Sequence, residues 1–155
     1  MSAPETTKTN PLPLIGFTYR LFARVVDRPL RELGFAMSQV PVLVSLKKAG
    51  ALSQTELARR AQVEQPSMAQ LLNRMERDGL VLRVPDPDDR RSRLISLTDS
   101  ATKGLAKGRA VMDGASEQAL EGLSDAEREQ LAALLGRVNA NLERMAGIER
   151  AHDID

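Results

Sequence analysis

The stretch that decides the fold is "SQTELARRAQVEQPSMAQLLNRMERDGLVLRVPDPDDRRSRLISLT", Ser53 to Thr98. It opens on Ser-x-x-Glu, the signature of a capping box between Ser53 and Glu56 at a helix start. Leu57, Ala58 and Ala61 give that helix a short apolar face. Four residues later Pro66 suits the first turn of a second helix. That helix is predicted over about Pro66–Asp78, with Met68, Leu71, Leu72 and Met75 inward and Gly79 ending it. Its opposite stripe, Ser67, Gln70, Arg74 and Arg77, is polar throughout. "LVLRV" and "RLISL" then read as two strands around the turn-rich "PDPDDRRS", a hairpin spanning Leu80–Leu97. Two short helices on a tight connection, followed at once by a hairpin, make a winged helix-turn-helix.

Outward from this core, the apolar residues Ile15, Tyr19, Phe22, Val26, Leu30 and Leu33 recur in steps of three and four. They predict a helix, with Pro29 expected to kink or break it. Ser38 is a plausible N-cap for the next helix, Pro41 fits its first turn, Val42, Leu43 and Leu46 face inward, and Gly50 stops it. After the hairpin, Thr98 caps a helix predicted to about Leu120, which Gly104, Gly108 and Gly114 weaken. A second capping box, Ser124 with Glu127, starts a last helix whose apolar face is Leu131, Leu134, Leu135, Val138, Leu142 and Met145.

The predicted organisation is therefore one mainly α domain with a small β wing. Residues 1–10 form a disordered tail and residues 11–37 an N-terminal dimerisation helix. Residues 38–98 are the winged helix-turn-helix, residues 99–148 the C-terminal dimerisation helices, and residues 149–155 a frayed tail. The terminal helices carry apolar stripes that nothing left in the chain covers. Ile15, Tyr19, Phe22, Leu131, Leu134, Leu135, Val138 and Leu142 are accordingly expected at a homodimer interface. A DNA-binding dimer places two reading heads about 34–36 Å apart along the duplex.

Bulk composition narrows the function classes. At 155 residues the chain is large enough for one well-packed core. There is no cysteine, so disulfides, thiolate metal sites and thiol-oxidation switching are excluded. No apolar run approaches the roughly 18 residues of a membrane span, and a cytoplasmic location is expected. The net charge of +1 divides into +4 over residues 1–52, +1 over 53–98 and −4 over 99–155. The total thus gives no support to nucleic-acid binding, and that reading rests on where single side chains point. No catalytic constellation, glycine-rich phosphate loop or metal-ligand spacing is present, and the lone His152 sits near the end of the chain. No enzyme activity, cofactor or metal is expected.

In winged-helix geometry the second helix enters the major groove and its N-terminal residues reach base edges. Ser67 and Gln70 are the expected base readers, and Gln70 can pair bidentately with adenine. Gln65 and Pro66 lie at the helix start, where phosphate is favoured. Gln54 and Thr55 open the preceding helix as backbone contacts, and Arg74 continues the polar stripe. Arg77 is left out, because Glu76 and Asp78 are there to neutralise it. Arg90, Arg91 and Arg93 tip the wing, and an arginine gains from the enhanced negative potential of a narrow minor groove.

"LARRAQVEQPSMAQLLNRMERDGLVLRVPDPDDRRSRLISLT" resembles the core of MarR-type winged-helix transcription regulators, and "VEQPSM" looks closest to the SlyA-like branch. The resemblance spans about Leu14 to Met145 and is specific over residues 53–98. It implies a homodimer that binds palindromic double-stranded operator DNA, usually as a repressor, with Asp89 bracing Arg91 for the minor groove. It also implies release by a small aromatic or phenolic effector held between the dimer and DNA-binding regions. Two departures stand out: Gln70, where relatives often have arginine, and Pro29. The alternatives are a winged-helix protein-interaction module without DNA binding, favoured by the near-neutral 53–98 segment, and a small-molecule binding protein.

Overall fold

A computed structural model describes residues 9–148. The tail expected at 149–155, most of that at 1–10, and His152 lie outside them. Six helices surround a three-stranded antiparallel sheet: α1 (Leu12–Glu32), α2 (Val40–Ala49), β1 (Ala51–Leu52), α3 (Gln54–Ala61), α4 (Gln65–Arg77), β2 (Val81–Pro85), β3 (Arg93–Leu97), α5 (Asp99–Ala119) and α6 (Asp125–Met145). The winged helix-turn-helix is present. The strand order is β1-β3-β2, with Leu52 opposite Ile95 and Arg83 also opposite Ile95 across the other edge. β1 has two residues, too short to leave a period-two signal in sequence.

The core gathers one row from each element: Val26 and Leu30 from α1, Val42, Leu43 and Leu46 from α2, Leu57 and Ala58 from α3, and Met68, Leu72 and Met75 from α4. Val81 and Ile95 close it from the sheet. Ser53 caps α3 by accepting from the Glu56 N–H at 3.2 Å, but the reciprocal half of the box is not made. The Glu56 carboxylate instead takes bonds from Arg59 and Arg60, charge-assisted and stronger than one from a neutral N–H. The Ser124–Glu127 box is complete.

Two local expectations need correction, and a third gains a reason. α1 runs unbroken through Pro29. The proline lies in the last turn, so a single carbonyl bond is forgone, and buried Val26 and Leu30 anchor the helix on either side. Two i,i+4 ion pairs, Arg31–Asp27 at 3.0 Å and Arg28–Glu32 at 3.1 Å, straddle it. Ser38 does not cap α2; it sits in a 3-10 turn, Met37–Gln39, ahead of the helix. There Gln39, buried, accepts the Ala36 N–H at 2.8 Å through its side-chain oxygen. Gly104 and Gly108 do not weaken α5 for nothing, because the Phe35 ring lies directly over them. A Cβ at Gly104 would stand 3.0 Å from that ring.

Thr98 is more than an N-cap. Its hydroxyl accepts the Ala101 N–H at 3.1 Å and donates to the Gly79 carbonyl at 2.7 Å, while its own N–H bonds the Leu80 carbonyl at 3.1 Å. One residue thus joins the end of α4, the base of the wing and the start of α5. Thr98→Ala is expected to cost about 1–2 kcal/mol, combining a lost cap with a lost hydrogen bond. Thermal denaturation should show a midpoint several degrees lower; an unchanged midpoint would refute the junction role.

Candidate nucleic-acid interface

The exposed row of α4 follows from its buried one. With Met68, Leu72 and Met75 fixed inward, helical geometry turns Ser67, Gln70, Arg74 and Arg77 to solvent, and all four are exposed. The helix begins one residue earlier than predicted, so Gln65 is its first residue and Pro66 its second. Gln65 accepts a bond from the Gln54 side-chain amide at 3.2 Å, tying together the first turns of α3 and α4. Thr55 is exposed next to Gln54. The structure therefore brings Gln54, Thr55, Gln65, Pro66 and Ser67 to one end of the helix pair.

The wing tip, residues 86–92, is built by its aspartates. Asp86 accepts the Asp88 N–H at 2.9 Å, and Asp89 accepts the Arg91 N–H at 2.9 Å. The Ser92 N–H bonds the Asp89 carbonyl at 2.9 Å, and the Asp86 N–H returns to the Ser92 carbonyl at 3.3 Å. These are two successive Asx turns. Asp89 thus holds Arg91 through the backbone and leaves the guanidinium unengaged.

The charged residues of 53–98 differ in what they engage. Glu56 and Glu76 are in ion pairs with other residues, and Asp86 and Asp89 spend oxygens on backbone N–H groups. Among the described residues, Arg74, Arg77, Arg90, Arg91 and Arg93 make no ion pair. All five are exposed, as are the acids Glu64, Asp78 and Asp88 beside them. Arg77 does not pair with Glu76 or Asp78, as sequence proximity suggested; Glu76 is taken by Arg83 of β2. Arg83 carried no sequence signal beyond its place in an apolar strand run.

Glu56 is the one strongly shifted acid. Hydrogen bonds from Arg59 and then Arg60 hold its carboxyl down at about 2, from an ordinary 4.5. A depressed folded-state value means this stabilisation is complete above the unfolded value and is lost as pH falls through about 2. The gap in thermal midpoint between wild type and Glu56→Gln should therefore shrink as pH drops from about 5 toward 2. A gap independent of pH would assign it to something other than the carboxylate.

A family model described as MarR matches residues 35–92. The crystal structure of transcriptional regulator PA3341 is 32% identical, covering 87% of this chain and 99% of that one, at a TM-score of 0.75. The chain belongs to the MarR family. It is a DNA-binding transcription regulator and not an enzyme. Its fold is also that of a mutant MarR from E. coli complexed with operator DNA, at a TM-score of 0.77 and 23% identity over 88% of this chain and 99% of that one. The organohalide-sensing RdhR regulator, solved with 2,4-dichlorophenol bound, shares the fold at 0.76 and 21% identity over 91% and 86%.

Two further features of this MarR-family chain lie away from the wing. A cavity of about 420 Å³ opens between α1, α2 and α5, lined by Leu30, Phe35, Val40, Leu43, Val44, Leu105, Gly108 and Met112, with Lys47, Arg109 and Asp113 at its edge. Phe35 is its aromatic wall; Phe17, Tyr19 and Phe22 do not line it. The second feature is uncovered apolar surface. α6 has no buried residue, and Leu131, Leu134 and Leu142 are exposed, with Leu135 and Val138 half-buried.

On α1 the stripe differs from the one read in sequence. Phe22 packs against the chain's own core, Ile15 is half-buried, and Tyr19 is exposed. The uncovered row is Leu14, Phe17, Leu21 and Val25, about 100° round the helix. α1 is apolar on two sides, one serving its own core. Among the described residues, no helix is long and apolar enough to cross a membrane.

Proposed function

We propose that the chain acts in the cytoplasm as a homodimeric repressor that holds a palindromic operator and lets go when an aromatic effector enters the α1–α2–α5 cavity. Residues 38–98 form the reading head, and residues 11–37 with 99–148 form the dimer arms. The observation that carries this reading is the set of five exposed arginines on α4 and the wing that make no ion pair among the described residues, beside the polar Ser67 and Gln70. Phosphate contacts from Gln54, Thr55, Gln65, Arg74 and Arg90 set affinity, with Arg93 beside them and Pro66, which has no N–H to donate, in apolar contact with the DNA. Ser67, Gln70 and Arg91 shape sequence preference, and Asp89 braces the wing turn.

The exposed apolar rows of α1 and α6 support self-association, because a monomer rarely leaves such surface uncovered. The cavity supports an effector: it is apolar, has an aromatic wall, and lies between the reading head and the arms. The bound dichlorophenol of the RdhR regulator shows that this fold accommodates a phenol.

Fluorescence anisotropy against the protein's own promoter DNA and a scrambled duplex, over a salt series, tests the reading. Tighter promoter binding with a steep loss as salt rises is expected. Loss of that complex on adding 2,4-dichlorophenol would support the effector site. Failure to bind either duplex at low salt would overturn the DNA reading in favour of a protein-interaction module.

A further inference from the structure

One arginine of the reading head lies neither at the wing tip nor on the exposed row of α4. Arg83 stands mid-strand on β2, partly buried, and its guanidinium donates to the Glu76 carboxylate and to the Asn73 side-chain oxygen, the latter at 2.8 Å. The rigid fork of arginine suits such a two-point grip. Asn73 and Glu76 are three residues apart, so they share one flank of α4. That flank lies between the buried Met68, Leu72 and Met75 and the exposed Ser67, Gln70, Arg74 and Arg77.

We propose that Arg83 is a positioning residue that clamps α4 to the wing and thereby sets sequence discrimination. The inference rests on the reading that α4 and the wing face DNA. Along its middle α4 is otherwise held by apolar contacts, which are non-directional; its directional bonds are at its ends, Gln65 to Gln54 and the Gly79 carbonyl to Thr98. The connection to the wing is a short turn through Gly79 at φ 73. The fork supplies a directional constraint between those ends, on the flank that faces the wing. Base readout requires placement to about 0.5 Å, whereas phosphate attraction falls off gradually with distance. Loosening the clamp should therefore cost preferred-sequence binding more than general binding.

Glu76 gives the test its sign. Removing an acid beside a DNA-facing surface should, by charge alone, tighten binding to every duplex. If Glu76 is half of a clamp, removing it weakens binding to the preferred sequence. The probe is a duplex enriched from a random pool by the full-length wild-type chain, titrated beside its scrambled version by anisotropy. Glu76→Ala is expected to lower the ratio of the two affinities about tenfold, and the double variant with Arg83→Ala to lose no more than either single.

Tighter binding of Glu76→Ala to both duplexes at an unchanged ratio would overturn the clamp, as would losses that add in the double variant. Should Arg83→Ala lower the thermal midpoint, Glu76→Ala at its exposed site carries the test alone. A wild-type chain that enriches no duplex would instead overturn the DNA reading, and the clamp's role with it.

Discussion

Arg91→Ala is expected to weaken operator binding by about 1–3 kcal/mol, roughly 5- to 150-fold, while leaving the oligomeric state unchanged. The guanidinium of Arg91 has no partner within the described chain, and its backbone is fixed by the Asx turn that Asp89 closes at 2.9 Å. A preformed turn leaves little backbone ordering to lose on binding, so the cost is confined to the arginine side chain. Asp89 supplies a control. Because its contact is to the Arg91 N–H, Asp89→Asn, which keeps an acceptor oxygen, should bind nearly as wild type. Asp89→Ala should lose part of what Arg91→Ala loses. If Asp89 acted instead by its charge on the guanidinium, Asn and Ala would be equally damaging. Mobility-shift titrations of the three variants separate these cases, and unchanged affinity for Arg91→Ala would remove that residue from the interface.

Leu134→Asp is expected to have a larger effect, splitting the dimer and lowering operator affinity by about 10²–10⁴. Leu134 is 48% exposed on α6, in a row with Leu131 and Leu142 that no part of the described chain covers. A carboxylate at the centre of such an interface would be buried without a partner, which is strongly unfavourable. The fold of the single chain should be little affected, because α6 contributes no buried residue and is held to α5 at its own start. There Arg128 reaches Glu117 at 2.8 Å and the Leu120 carbonyl at 3.2 Å. Sedimentation should show a monomer with an unaltered helical spectrum, and each monomer should retain weak, salt-sensitive binding to a half-site. A variant that remains a dimer would place the interface elsewhere.

Some of the molecule was legible without coordinates. The helix pair, the hairpin, the caps at Ser53, Thr98 and Ser124, and the buried rows of α2 and α4 all depend on short-range spacing, which the sequence displays directly. Pro29 and Ser38 misled because each was read from local propensity alone. Buried Val26 and Leu30 hold α1 helical on either side of Pro29, and the 3-10 turn that Gln39 closes on the Ala36 N–H takes up Ser38 ahead of α2, which has no side-chain cap. On α1 the three-four spacing found a true apolar row. Spacing does not say whether such a row meets the chain's own core, and here Phe22 does.

The sequence by itself determined the element order and the buried and exposed rows of α4, because helical and strand periods are set by backbone geometry within a few residues. It also located every charged side chain, but not its partner. Only the tertiary structure decided that Glu76 belongs to Arg83, and that Asp86 and Asp89 serve backbone N–H groups. It alone placed Phe35 over the glycines of α5 as the wall of a cavity. Pairings across elements depend on how rigid pieces dock. A net charge of +1 thus says nothing of which side chains are paired, and among the described residues the arginines of α4 and the wing tip make no ion pair.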